Sequence, residues 1–168
     1  IGITEDDFEG VSDLLLSRTS PDVEEVRRLT TALLDDVHLA NVHVNSWYET
    51  YQGIIPQDIL ENLSKNSRER MWHSIFEEEC KDNESISYVV EIDSKVVGFV
   101  NGGAARNKEF GHDGELKAIY LLKKYHGHGI GKTIFYTFVD KLISLDYKSM
   151  YLWVLRGNKT EKFYNVMG

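Results

Sequence analysis

One cysteine in 168 residues is too few for an intrachain disulfide, and Cys80 alone cannot supply the paired thiolates of a cysteine metal site. That scarcity suits a reducing cytoplasm, the expected location. Proline is nearly as rare: Pro21 and Pro56 are the only two, and no Pro/Gly-rich tract marks a linker, so one domain is the default. No apolar run approaches the ~18 residues of a membrane span, and the opening IGITEDDFEG lacks the pattern of a secretory signal. Positive charge is also short. With 19 Lys+Arg against 27 Asp+Glu, the net charge of −8 excludes general affinity for nucleic acid or anionic membrane. An anionic ligand must therefore be held by a local cluster of donors. Histidine is sparse and badly spaced for metal: His38 and His43 are five apart, one too many for a two-ligand helix face, and no metal is expected.

What is present is core. An apolar content of 42% with 11% aromatics suits one packed domain. The acidic residues 1–22 read as an N-terminal extension, either a small helix around Val11 to Leu16 or an ill-ordered segment. A strand is expected from Val23 to Leu29. A helix capped by Asp35 or Asp36 should follow, with Val37, Ala40, Val44 and Trp47 on its buried face. Two further helices, Gln57 to Leu63 and Ser67 to Cys80, precede a change of period. Ile86 to Ile92 and Val96 to Val100 flank the turn Asp93-Ser94-Lys95 as a hairpin. Then come a strand over Gly114 to Leu122 and a helix over Gly129 to Leu145, its stripe built from Ile130, Ile134, Phe138 and Leu142 and widened by Phe135, Val139 and Ile143. A strand at Met150 to Leu155 and a short helix at Lys159 to Val166 close the pattern. The order predicts a mixed α/β sheet with one βαβ unit.

Inside that unit lies YHGHGIGKT, residues 125–133. It resembles two phosphate cradles and matches neither. A nucleotide triphosphate loop would need glycine where His126 stands. The dinucleotide fingerprint needs one residue more than the even spacing of Gly127, Gly129 and Gly131 allows. Still, glycines before a helix N-terminus give an anion access to unpaired backbone N–H groups. Lys123, Lys124, His126, His128 and Lys132 surround them without an acidic residue between.

The stretch HGHGIG at 126–131 is similar to the acetyl-CoA loop of the GCN5-related N-acetyltransferases, Gln/Arg-x-x-Gly-x-Gly/Ala, with His126 replacing Gln or Arg. GELKAIYLLKKYHGHGIGKTIF follows the family's strand–loop–helix pattern, with Lys123 where proline is usual. HVNSWYETYQGIIP (43–56) and LWVLRGNKTEKFYNVMG (152–168) resemble the first helix and loop, and the ending, of one bacterial branch. The likeness runs from about Val23 to Gly168, so residues 23–168 are expected to form an acyl-CoA N-acyltransferase domain. It implies a further strand pair after the last helix, so the chain is expected to be a piece that stops short of it.

The resemblance implies acetyl-CoA as cosubstrate and a primary amine of a small molecule or peptide as acceptor, and it leaves a homodimer open. It places the pantetheine arm on the backbone of Ile119, Tyr120 and Leu121. The pyrophosphate falls to His126, Gly127, His128, Gly129, Ile130, Gly131 and Lys132, and Asn158 to the cofactor arm. Glu115 is the implied general base and Tyr164 the implied general acid at the thiolate. Strand alternation expects Glu115, Lys117, Ile119 and Leu121 on one face, with Glu115 open to the cleft. Trp47, Tyr48 and Tyr51 are candidates for the acceptor pocket. A nucleotide-binding protein and a non-catalytic acetyl-CoA sensor are the alternatives.

Overall fold

The computed structural model describes residues 2–3, 25–28, 35–82 and 85–167. Its elements are β1 (Gly2–Ile3), β2 (Glu25–Arg28), α1 (Asp35–Tyr51), α2 (Gln57–Glu61), α3 (Lys65–Asp82), β3 (Ser85–Ile92), β4 (Lys95–Ala104), β5 (Gly114–Leu121), α4 (Ile130–Ser144), β6 (Met150–Leu152) and α5 (Glu161–Met167). Each expected strand and helix from Val23 onward has its counterpart. The small helix expected at 11–16 lies outside the described residues. Two short 3-10 turns, Lys108–Phe110 and Lys123–Tyr125, were not legible from periodicity.

The strands form one sheet in the order β1-β6-β5-β4-β3-β2. All neighbours are antiparallel except β5 and β6, which run parallel and are joined by α4, the expected βαβ unit. Gly2 and Ile3, within the region read as an extension, pair with Tyr151 and Met150 beside β6. The β3–β4 turn places Asp93 and Ser94 at φ 51° and 57°, the mirror-image turn whose twist suits a two-residue hairpin.

Two cores cover the two faces. On one, α4 lays Ile130, Ile134, Phe138 and Leu142 against the sheet, each no more than 2% exposed. Burying each of these side chains stabilises the fold by roughly 1.5–3 kcal/mol. Phe135 and Val139 widen the stripe as expected, but Ile143 is 40% exposed, because the flank of the stripe loses its cover in the last turn. On the other face, Leu39 and Val42 of α1 and Trp72 and Phe76 of α3 pack on Val89 and Phe99. The buried side of α1 differs from the expected stripe. Leu39, Ala40, Val42, His43 and Ser46 are buried while Val37 is 39% exposed. Two polar residues occupy core positions, and an apolar/polar pattern reads them as surface.

The sheet carries a β-bulge that decides what β5 can do. Asn101 pairs with Ala118 and Gly102 with Leu116, so Lys117 is the extra residue. Leu116, Ile119 and Leu121 consequently face the α4 core, while Ala118 and Tyr120 face the α1 core. Glu115, next to Leu116 along the strand, lies on the side opposite Ile119 and Leu121. The single shared face expected for Glu115, Lys117, Ile119 and Leu121 is therefore corrected. Gly102 makes room for the bulge: a Cβ there would stand 2.3 Å from the Glu115 carbonyl oxygen and 2.4 Å from Phe138 Cζ.

Candidate active site

β5 and β6 pair over three positions only, Gly114↔Met150 to Leu116↔Leu152, and then part. Between them opens a cleft of ≈ 560 Å³, the water at its mouth included. One wall is β5 from Leu116 to Leu121, and the other is the chain from Leu152 to Val154 with Asn158, Thr160 and Tyr164. Thr50 and Tyr51, at the end of α1, and His126 of the glycine loop complete it.

The edge that β6 vacates is a source of main-chain hydrogen bonds. Leu122 N–H donates to the Val97 carbonyl at 2.9 Å, so Leu122 looks towards β4. By alternation Tyr120 does too, whereas Ile119 turns N–H and C=O to the cleft and Leu121 its N–H, the Leu121 carbonyl being held by His126. Of the three residues expected to offer backbone to a ligand, Ile119 and Leu121 are placed to do so. Tyr120 instead turns its ring into the α1 core, against His43 and Phe99.

The glycine loop closes one end. His126 Nε2–H donates to the Leu121 carbonyl at 2.8 Å, since a carbonyl can only accept. The ring thus ties loop to strand. Gly127 and Gly129 both sit at φ 83°, a conformation that favours glycine, and a Cβ on either would project into open space. These glycines are required by the backbone and leave a cradle empty of protein atoms. Gly129 is the N-cap of α4, and the amides of Ile130 and Gly131 have no intrahelical partner by helix geometry. Lys132 and Thr133 turn their N–H groups back on the Gly129 carbonyl, at 3.0 and 3.1 Å, so the Lys132 amide is not free for a ligand. His128 and Lys132 flank the cradle in sequence. The far side is shaped by α5: Gly131, given a Cβ, would meet Phe163 Cε2 at 3.6 Å, an ordinary contact.

Tyr164 is 8% exposed and belongs to the α4 core while lining the cleft. Burial, with a smaller contribution from Tyr51, pushes its phenol pKa well above the ordinary value, so it stays protonated across neutral pH. Asn158 is buried, and its Oδ1 accepts from Thr160 N–H at 3.0 Å just before α5. Its carboxamide NH₂ is what remains to offer a ligand.

Glu115 is not the open strand-end carboxylate that was expected. It is 1% exposed, and Arg106 grips it with Nε at 2.9 Å from Oε2, with Nη2 on Oε1, and with its backbone N–H at 3.2 Å. Burial alone would raise its pKa. The Arg106 side-chain and backbone hydrogen bonds and the Tyr151 hydroxyl outweigh that and hold the carboxyl below its ordinary range. Glu115 is also absent from the cleft lining. Arg106 carried no signal in the sequence beyond its charge, since the contact depends on how the hairpin loop between β4 and β5 folds back.

Beneath Tyr120 a buried histidine sits among aromatic rings of the α1 core. His43 stacks on Tyr120 at 5.3 Å and touches the rings of Trp47, Trp72 and Phe99. Burial, then the nearby Arg68 charge, pushes its pKa down to about 3, so the imidazole is neutral at physiological pH. Tyr51 and Tyr120 bring their hydroxyls to 3.4 Å. Among the described residues no group of three His, Cys, Asp or Glu is placed to hold a metal ion, and no helix is long and apolar enough to cross a membrane.

A sequence model of the family described as Acetyltransferase (GNAT) family matches residues 39–168. The chain is 34% identical over 134 residues to an uncharacterized N-acetyltransferase, YuaI, of Bacillus subtilis (strain 168), covering 79% of this chain and 74% of that protein. Its fold is similar to that of the PaiA N-acetyltransferase of Thermoplasma acidophilum, solved in complex with coenzyme A. That likeness has a TM-score of 0.73 at 22% identity, over 86% of this chain and 89% of the other. A ribosomal-protein-alanine N-acetyltransferase of Brucella melitensis biovar Abortus 2308 superposes with a TM-score of 0.57 at 17% identity, over 86% and 91%.

Proposed function

This chain belongs to the acetyltransferase (GNAT) family, and from that premise we propose that it transfers an acetyl group from acetyl-CoA to a primary amine of a small molecule or peptide. The observation that carries the reading is the parting of β5 from β6, which puts a strand edge, a helix N-terminus and a buried phenol on one cleft. The residues fit the cosubstrate. The cradle at Gly127 and Gly129 is empty where side chains would otherwise project, and the amides of Ile130 and Gly131 with Lys132 would hold a pyrophosphate there. Ile119 and Leu121 would pair with the pantetheine arm, and the NH₂ of Asn158 would anchor it. When bound, acetyl-CoA supplies an activated acetyl thioester and a thiolate leaving group.

The chain's own residues then have distinct tasks. Ile119 or Leu121 N–H can donate to the thioester oxygen, where charge develops in the transition state. Tyr164, kept protonated by burial, holds a proton for the departing sulfur. Glu115 is ionised, but its ion pair makes it a weak base. We assign it the task of fixing the β4–β5 loop at the point where the strands part, and the amine loses its proton to water in the cleft.

The test combines binding with turnover. Calorimetric titration should show CoA binding the protein more tightly than ATP, and an amine panel with acetyl-CoA should release free thiol. Tyr164→Phe keeps the ring and removes the hydroxyl. Turnover should fall about 10²-fold, with CoA affinity within about twofold of the parent. Turnover preserved in that variant would remove Tyr164 from the chemistry, and tighter ATP binding would overturn the reading altogether. Glu115→Gln should leave the acid limb of the pH–rate profile in place; loss of that limb would restore Glu115 as the base.

A further inference from the structure

The bulge in β5 sets one residue apart. Leu116 packs in one core and Ala118 against the other, so Lys117, the extra residue between them, belongs to neither. It is exposed, and it lines the cleft directly after the last rung of the β5–β6 ladder, Leu116↔Leu152. Glu115, the carboxylate nearest to it in sequence, is already held by Arg106. Among the described residues that line the cleft, Lys117 carries the one primary amine. Lys123, Lys124 and Lys132 stand instead around the glycine loop, at the other end of the cleft. The order of groups along β5 decides which part of the cosubstrate comes near that amine. A pyrophosphate on the loop after β5 puts the pantetheine beside Leu121 and then beside Ile119, so the thioester points towards the place where the strands meet. Lys117 lies two residues beyond Ile119, roughly 7 Å along an extended strand. The flexible four-carbon stem of a lysine spans a gap of that size.

We infer that Lys117 is a site of self-acetylation: with no acceptor in the cleft, its amine takes the acetyl group from acetyl-CoA bound to the same chain. The inference rests on the transferase reading and adds a modification site to it. The ammonium first gives a proton to water. The nitrogen lone pair then attacks the thioester carbonyl carbon, the N–C bond forms and the C–S bond breaks. Sulfur leaves with the bonding electrons and takes a proton from Tyr164, which regains one from water. The new amide nitrogen sheds its second proton to water. Lysine and acetyl-CoA thus become N-acetyllysine and CoA, with a proton released and no change of oxidation state. Proximity drives the step, because amine and carbonyl share one cleft and need no encounter. Each chain reacts once, since an amide nitrogen is no nucleophile.

The probe is acetyl-CoA with an isotope-labelled acetyl group, given to the full chain in phosphate buffer with no other amine and followed by peptide mapping in a mass spectrometer. A CoA titration comes first. Lys117 should then be labelled at least about 10²-fold faster than Lys95 and Lys148, exposed lysines outside the cleft lining. Its first-order rate should not change with protein concentration, because donor and amine sit in one chain. Excess unacetylated CoA should slow labelling at Lys117 and leave Lys95 and Lys148 at their former rates. Lys117→Arg keeps a cation and offers no amine, so that label should vanish while CoA affinity and Tm stay as in the parent. Labelling of Lys117 at the rate of Lys95 overturns the inference, and so does a rate that rises with protein concentration or ignores added CoA. The two ideas fail separately: no CoA binding sinks the transferase reading, while CoA binding with Lys117 labelled at the background rate sinks only this inference.

Discussion

Arg106→Ala is the most informative perturbation of stability, because it leaves a buried carboxylate without its counter-charge. In the folded parent the pair is lopsided: the Arg106 side chain is 67% exposed and Glu115 is 1% exposed. Removing one partner of a fully buried pair costs about 3–5 kcal/mol. Here water can follow the departing guanidinium to the rim, and the Tyr151 hydroxyl still faces Glu115, so the cost is discounted to about 2 kcal/mol. For a chain of this size that is roughly 4–8 °C in Tm. The sign of the pH dependence separates this mechanism from simple loss of packing. In the parent the folded pKa of Glu115 is depressed, so its stabilisation is present above the ordinary carboxylate value of about 4.3 and is lost as pH falls through the folded value. In the variant, burial is opposed only by the Tyr151 hydroxyl and raises that pKa. The penalty is then full at neutral pH and disappears as the carboxyl takes its proton. Urea unfolding of both proteins at neutral pH and near pH 4 should show the gap closing in acid. An equal gap at both values, or no gap at neutral pH, would refute the ion pair as the source.

Three further perturbations address the cradle, the bulge and the buried histidine. Gly129→Val forces a β-branched residue into φ 83° and projects a side chain into the cradle, so CoA affinity by calorimetry should drop at least about tenfold in a variant shown to be folded. Gly102→Ala drives a methyl into the Glu115 carbonyl and the Phe138 ring, and urea unfolding should show about 1–3 kcal/mol lost, the usual cost of overpacking. His43 has a folded pKa lowered to about 3, so the unfolded chain takes up a proton below about pH 6.5 that the folded chain refuses, and stability should fall with acid by up to roughly 1.4 kcal/mol per pH unit. His43→Leu should flatten that limb of the stability profile, and an unchanged slope would remove His43 as its cause.

Most of the architecture was legible because its elements obey simple periods. The α4 stripe recurs every four residues, the β3–β4 hairpin carries its own turn residues, and the glycine loop sits where a strand gives way to a helix. What escaped was whatever breaks a period or joins distant groups. Counting by twos along β5 cannot see that Lys117 is an extra residue, so it put Glu115 on the wrong side. Reading α1 by hydrophobicity shifted its buried face, since His43 and Ser46 are polar yet buried. The site followed the same rule. Tyr164, Asn158, His126 and the strand backbone could be aligned to a motif and do gather at one cleft. Arg106 and the Tyr51–Tyr120 contact, 69 positions apart in the chain, come together only through tertiary packing.

The parting of β5 from β6 also makes this sheet unusual as a solid object. A strand with vacant hydrogen-bonding positions is ordinarily found at a sheet's margin, where it invites another chain to add on. Here the vacancy lies in the interior of the sheet, between strands that remain paired on either side. A protein strand approaching it would have to enter a wedge that closes to normal ladder spacing at Leu116 and Leu152. A slender extended molecule meets less obstruction there than a polypeptide with side chains on both faces. The unsatisfied edge that would be a hazard at the rim is thus enclosed by the sheet itself and narrows to a paired ladder.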